Sequence, residues 1–151
     1  MTKDKRNYRK RVYESYRSVT LGRKRGNASE SLRKEVEQYT RRWRKFLPRG
    51  ERLSAIDLGC GGGEYLLFLK QQGFIDLTGV DISSEQAQLA RERGLENLIE
   101  ADVVTTLSKI DQSFDLIVTL NLLEHLTRDE LLVLLDLIFA RLRPGGLLFA
   151  V

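Results

Sequence analysis

One cysteine, one histidine, one tryptophan and two prolines stand among 151 residues. A single thiol, Cys60, excludes an internal disulfide framework and fits a reducing compartment. Long hydrophobic runs are missing too. The most apolar stretch, "LLVLLDLIFA", has about half the length of a membrane-spanning helix and carries Asp136. The opening "MTKDKRNYRKRVYESYR" lacks the apolar core of a secretory signal, and no repeat or low-complexity tract interrupts the chain. These absences lead us to expect a cytoplasmic protein with no membrane span. With 42% hydrophobic and 30% charged residues, a chain of this length can bury a core of its own.

Charge is plentiful but unevenly placed. Residues 1–50 hold 17 Lys or Arg against 5 Asp or Glu, whereas residues 51–151 hold 8 against 16. Two parts are therefore expected: a basic helical segment over 1–50 and an acidic core over 51–151.

Apolar spacing fills in both parts. Tyr8, Val12, Tyr16 and Val19 predict an amphipathic helix over 3–19, and "TLGRKRGN" a loop broken by Gly22 and Gly26. Leu32, Val36, Tyr39, Trp43 and Phe46 predict a second helix from about Ser29 to Phe46, ended by Pro48 and Gly50. Beyond it, strands and helices alternate. "LSAIDLG", "LTGVDI", "NLIEADV", "FDLIVTL" and "LLFAV" read as strands; "EYLLFLKQQ", "SSEQAQLARER" and "RDELLVLLDLIFARLR" read as helices, the last stopped by "PGG". Ser83 with Gln86, and Thr127 with Glu130, have the spacing of capping boxes. Apolar strands alternating with helices predict a Rossmann-like α/β fold, a doubly wound parallel sheet with ligands at the strand C-terminal ends.

"AIDLGCGGGEYLLFLK" packs four glycines into five positions at such a strand end. Missing side chains let backbone approach a ligand closely, and the helix start favours a carboxylate or phosphate. Dinucleotide-binding proteins also carry a glycine loop, so the acids decide. Asp81 ends the second strand where an acid can accept hydrogen bonds from ribose hydroxyls. Asp102, in "EADV", is placed to reach an adenine amino group. Asp57, two residues before the first glycine, would repel a pyrophosphate and suit an ammonium or sulfonium group. Each acid alone could equally be a helix N-cap or a solvated strand end. Together they describe a cationic adenosyl ligand better than NAD.

"AIDLGCGGGEYL", "LTGVDISSEQAQLAR", "EADV", "FDLIVTLNLLEHL" and "LRPGGLLFAV" resemble, in order, the motifs of class I S-adenosylmethionine-dependent methyltransferases. "RVYESYRSV" followed by a helix and this core also resembles small bacterial methyltransferases of polysaccharide biosynthesis. The resemblance implies S-adenosylmethionine as cofactor and S-adenosylhomocysteine as product. It implies a loop of Gly59, Cys60, Gly61 and Gly63 holding the methionine part, with Asp57 fixing the loop and its ammonium group. It further implies Asp81 on the ribose, Ile82 flanking adenine, Asp102 and Val103 at the adenine edge, and Asn121 beside the methyl-bearing end. A strand order of 3-2-1-4-5 is implied, lacking the family's usual last two strands. The chain is therefore expected to be shortened at its C-terminus, with the fifth strand an edge through which a homodimer could form.

His125 follows the fourth strand in "NLLEHL". It reads either as a structural turn residue or as a catalytic general base for a substrate hydroxyl, since histidine ordinarily titrates near neutrality. Some related O-methyltransferases carry Glu-x-x-Glu-His as part of a metal site. Here Asn121 stands at the first Glu and there is no second histidine, so no metal is expected. Cys60 reads as a small loop residue, not a nucleophile. Tyr8, Tyr13, Tyr16, Tyr39 and Trp43 interleave with basic residues, a pattern that suits RNA or another polyanion as well as a solvated helix pair. The resemblance implies that the basic N-terminal helices form a lid over the cofactor, and with their charge it leads us to expect O-methylation of a small-molecule or glycan-like anionic acceptor; an RNA methyltransferase or a non-catalytic S-adenosylmethionine-binding module are the alternatives.

Overall fold

Apolar residues recur every three or four positions from Leu32 to Phe46, and that stripe becomes one face of a helix. The computed structural model describes residues 28–151. The helix expected over 3–19 and the loop over 20–27 lie outside the described residues. Helix α1 spans Ala28–Trp43 and tightens into a 3₁₀ turn over Arg44–Phe46. It stops at Leu47, whose backbone is extended (φ −66°, ψ 145°). The following Pro48 disfavours a helical conformation there.

The core follows as β1 (Ser54–Leu58), α2 (Glu64–Gln71), β2 (Asp76–Asp81), α3 (Ser84–Glu92), β3 (Leu98–Glu100), α4 (Val103–Lys109), β4 (Phe114–Thr119), a 3₁₀ turn over Leu123–His125, α5 (Arg128–Arg141) and β5 (Leu142–Ala150). The sheet order is β3-β2-β1-β4-β5, every pair parallel. The expected order is therefore observed, with β5 at one edge. Register places Asp57 of β1 beside Gly79 of β2 and Val118 of β4, so the glycine loop leaves the sheet at its centre.

Both faces of that sheet are covered, which explains why its central strand is buried at all five positions. On one face Ile56, Leu58, Val80 and Ile117 pack with Leu107 of α4 and Leu134 and Ile138 of α5. On the other, Ala55, Leu116 and Val118 pack with Tyr65, Phe68 and Leu69 of α2 and Val36 of α1. The Tyr39 ring stands edge-on to Tyr65, centroids 5.0 Å apart, and the Trp43 ring lies 5.7 Å from Phe149 of β5. Helix α1 thus bridges α2 and the sheet edge. Among the described residues, no helix is long and apolar enough to cross a membrane.

Two boundaries differ from the sequence reading. The third strand stops at Glu100, and "ADV" opens α4, a helix absent from the expectation. Val103, Val104, Thr105 and Thr106 are β-branched and weak helix formers. The helix starts because the Asp102 carboxylate caps it, Oδ1 accepting from the Thr105 amide at 2.8 Å. At the far end, α5 stops at Arg141 and β5 begins at once. "PGG" is not the helix stop. It lies where the register slips, Phe114 facing Leu142 and Leu116 facing Leu147. Pro144 cannot donate to a ladder, so the chain bulges there before pairing resumes.

Candidate functional site

A cavity of about 640 Å³ opens where β1, β2 and β4 end and α3 and α4 begin. Its walls include Gly59, Gly61, Asp81, Ile82, Asp102, Val103, Asn121 and His125. Eight of the sequence-predicted residues therefore share one space. Asp57, Cys60 and Gly63 do not line it.

Backbone and side-chain hydrogen bonds tie the glycine loop to β2 and α3. The amides of Gly59 and Cys60 both donate to the Val80 carbonyl, at 2.7 and 3.0 Å. The Gly61 amide donates to Asp81 Oδ2 at 2.8 Å, while Asp81 Oδ1 accepts from the Ser83 amide at 2.8 Å. One carboxylate thus ties the loop to the start of α3. Burial lifts the Asp81 titration above the usual carboxylate range, and the amides of Ser83, Gly61 and Ile82 pull it back. From the opposite side, Arg93 donates to the Gly62 carbonyl at 2.6 Å and pairs with Glu64.

The glycines divide into two roles. A side chain at Gly61 would meet nothing closer than Gln86 Oε1 at 4.0 Å, so its bareness faces open cavity; its φ of +53° also favours glycine. Gly63 is needed as glycine for a different reason. A Cβ there would come within 2.2 Å of Leu95 Cδ1. Its glycine serves the packing of α2 on α3 and the left-handed cap of α2 (φ +79°).

Asp57 sits behind the loop, completely buried, and Oδ1 has no hydrogen-bond partner. Burial, reinforced by Asp81 and Glu64, pushes its titration up to about 8. The hydroxyls of Tyr65 and Thr119 are also buried without partners. Cys60 is buried with its thiol pushed well up by desolvation, as suits an inert packing residue.

The remaining wall comes from the segment after β4. Asn121 adopts the left-handed conformation (φ +52°), uncommon outside glycine but tolerated by asparagine. Its amide donates to the Val151 carbonyl at 2.8 Å, which holds the turn against the end of the sheet. His125 is 44% exposed, with Nε2 3.9 Å from Glu124 Oε1. Thr127 and Glu130 form the expected reciprocal capping box, and Glu130 also lines the cavity. The pairing at Ser83 is only half of one. Its hydroxyl accepts from the Gln86 amide, but its own amide goes to Asp81 instead of to Gln86.

Sequence reasoning missed Gln86, Thr105, Leu122 and Glu130 as wall residues. Gln86 and Glu130 were assigned only to helix caps, and Thr105 belonged to an unforeseen helix. Three carboxylates and no Lys or Arg line the cavity. Such a space favours a cationic ligand over a pyrophosphate. Among the described residues, no group of three or more His, Cys, Asp and Glu is disposed to hold a metal ion.

Comparison with known proteins gives this geometry its relatives. A family model described as a methyltransferase domain matches residues 55–146. A ubiquinone biosynthesis O-methyltransferase of Xylella fastidiosa is 34% identical over 99 residues, 62% of this chain and 39% of that protein. Its counterpart in Klebsiella pneumoniae is 33% identical over 100 residues, 62% of this chain and 40% of that protein. The chain spans about two fifths of the length of these curated relatives. Among solved structures, a SAM-dependent methyltransferase from Archaeoglobus fulgidus superposes with a TM-score of 0.65 at 28% identity, covering 77% of this chain and 51% of that one. A magnesium protoporphyrin IX methyltransferase from Synechocystis with bound SAM shares the fold at 18% identity, TM-score 0.63, over 92% of this chain and 72% of that one.

Proposed function

This chain belongs to the methyltransferase domain family, and from that premise we propose that it binds S-adenosylmethionine in the acidic cavity for methylation of an oxygen on a small-molecule acceptor. The observation that carries the reading is the cavity itself: a glycine loop anchored by Asp81, carboxylates at successive strand ends, and no Lys or Arg among its described walls. A carboxylate has about four lone-pair sites. On Asp81 they serve the Gly61 and Ser83 amides, with the Ile82 amide close by, and what remains is available to a ribose hydroxyl. Ile82 and Val103 offer apolar contact to a purine, and Asp102 accepts at its edge while capping α4. Gly59, Cys60 and Gly61 serve through their backbone, and Asn121 borders the end where the acceptor enters. When bound, S-adenosylmethionine supplies a methyl group activated by its sulfonium. His125 takes the proton of the acceptor hydroxyl on its imidazole, and the protein's main contribution beyond that is alignment.

The names of the relatives support an oxygen of a small molecule as the methylated atom. The described cavity walls carry three carboxylates and no Lys or Arg, which favours a neutral acceptor over an anionic one. The test is calorimetric titration with S-adenosylmethionine, then transfer of labelled methyl to aromatic hydroxyls and to sugar phosphates. Saturable cofactor binding with transfer to either class supports the reading, and the preferred class fixes the acceptor. Absence of cofactor binding by folded protein overturns it.

Asp57 makes that binding depend on pH. In the free protein its carboxyl is neutral at pH 7, because burial beside Asp81 and Glu64 lifts its titration to about 8. A cation placed over the loop favours the ionised form, so binding expels a proton and affinity rises with pH. Linkage limits the gain to about fiftyfold between pH 6 and pH 8. Without ligand the sign is opposite for folding. Stability from this group is complete below about pH 4, the unfolded value, and is lost as pH climbs toward 8. Asp57→Asn should flatten the affinity profile; a wild-type profile already flat would remove Asp57 from the binding event.

A further inference from the structure

At the opposite end of the strands lies a second concavity, about 690 Å³, between the end of α1 and the starts of β1 and β2. Its rim carries Arg41, Arg44, Lys45 and Arg49, and its floor includes Leu47 and Phe74. No Asp or Glu lines it. This is not what the overall charge predicts, since residues 28–151 hold 15 Lys or Arg against 19 Asp or Glu.

The cations are also poorly neutralised. Arg41 leans toward Glu37 at 3.6 Å, and Lys45 Nζ stands 4.8 Å from the Phe46 ring centroid. Arg44 and Arg49 have no ion pair or side-chain hydrogen bond among the described residues. Four like charges around one hollow repel each other. A multiply charged anion relieves that repulsion, and guanidinium forks match phosphate oxygens. The half-buried Leu47, Pro48 and Leu53 supply a smaller apolar surface for a group attached to the anion, and the volume lies in the range of small-molecule sites.

We propose that this groove binds a small organic phosphate, an apolar or aromatic group bearing one or more phosphates, at a site separate from the methyl-transfer cavity. The sole tryptophan, Trp43, lies one residue from Arg44 with the Arg42 guanidinium 4.9 Å from its ring centroid, so its fluorescence serves as a local reporter. Phenyl phosphate should bind saturably at low salt, more tightly than inorganic phosphate, by calorimetry and by Trp43 emission. The exposed pair Arg44→Gln and Arg49→Gln should weaken it at least about tenfold and leave S-adenosylmethionine affinity unchanged. Arg33→Gln with Lys34→Gln removes the same charge from α1 outside the groove and should leave phenyl phosphate binding intact. Equal weakening by both pairs would reduce the effect to a diffuse field and overturn the site. Binding confined to single-stranded oligonucleotides, or to phosphatidylglycerol vesicles, with no saturable binding of phenyl phosphate, would overturn it as well.

Discussion

His125→Ala is expected to lower methyl-transfer turnover by about a hundredfold or more while leaving S-adenosylmethionine affinity within about twofold. The imidazole stands in the 3₁₀ turn after β4, on the cavity wall and partly open to solvent. The carboxylates Asp81 and Asp102 belong to the opposite wall, where they hold backbone amides, so they are poorly placed to take an acceptor's proton. Glu124, 3.9 Å from Nε2, would stabilise the imidazolium once the proton is transferred. Added imidazole should restore part of the lost turnover to the alanine variant. A purely structural histidine would show no such rescue, and full turnover in the variant would end the assignment.

Asp81→Ala should weaken cofactor binding by about a hundredfold. A charge-assisted hydrogen bond contributes roughly 1.5–3 kcal/mol. This carboxylate is assigned hydrogen bonds to the ribose and already carries two to the protein. Removing it frees the Gly61 amide from its anchor and the Ser83 amide with it, so part of the loss is the cost of reordering the loop. Asp81→Asn keeps the shape and an acceptor for only one of those amides, and should fall between, at about tenfold. Hydrogen exchange at Gly61 should quicken in both variants. Wild-type affinity in a folded Asp81→Ala protein would remove the ribose assignment.

The sheet was legible because its strands are apolar runs closed by glycine or acid. That pattern needs no tertiary information, and parallel pairing with helices on both faces follows from it. The acids were legible by their place at strand ends. What hid was information held in three dimensions. The glycine at position 63 reads the same as that at 61, yet only the fold brings Leu95 against it. Helix α4 was obscured by four β-branched residues whose preference is overridden by one capping carboxylate and by burial of Val103 and Leu107. The Ser83 amide has two candidate partners three residues apart or fewer, and only the geometry of β2 gives it to Asp81. The basic groove joins residues from 40 to 74, which no local window could associate.

The two hollows lie at opposite ends of the same strands, one bordered by carboxylates and the other by guanidinium and ammonium groups. Among the described residues, these two ends of the strand axis therefore present opposite charge. A six-residue strand such as β2 is about 20 Å long, while charges at physiological salt are screened over about 8 Å. Each end therefore attracts solutes of the opposite charge without sensing the other. In dilute buffer the screening length approaches 30 Å, longer than the strands, so a charged solute near one hollow then also feels the charges of the other.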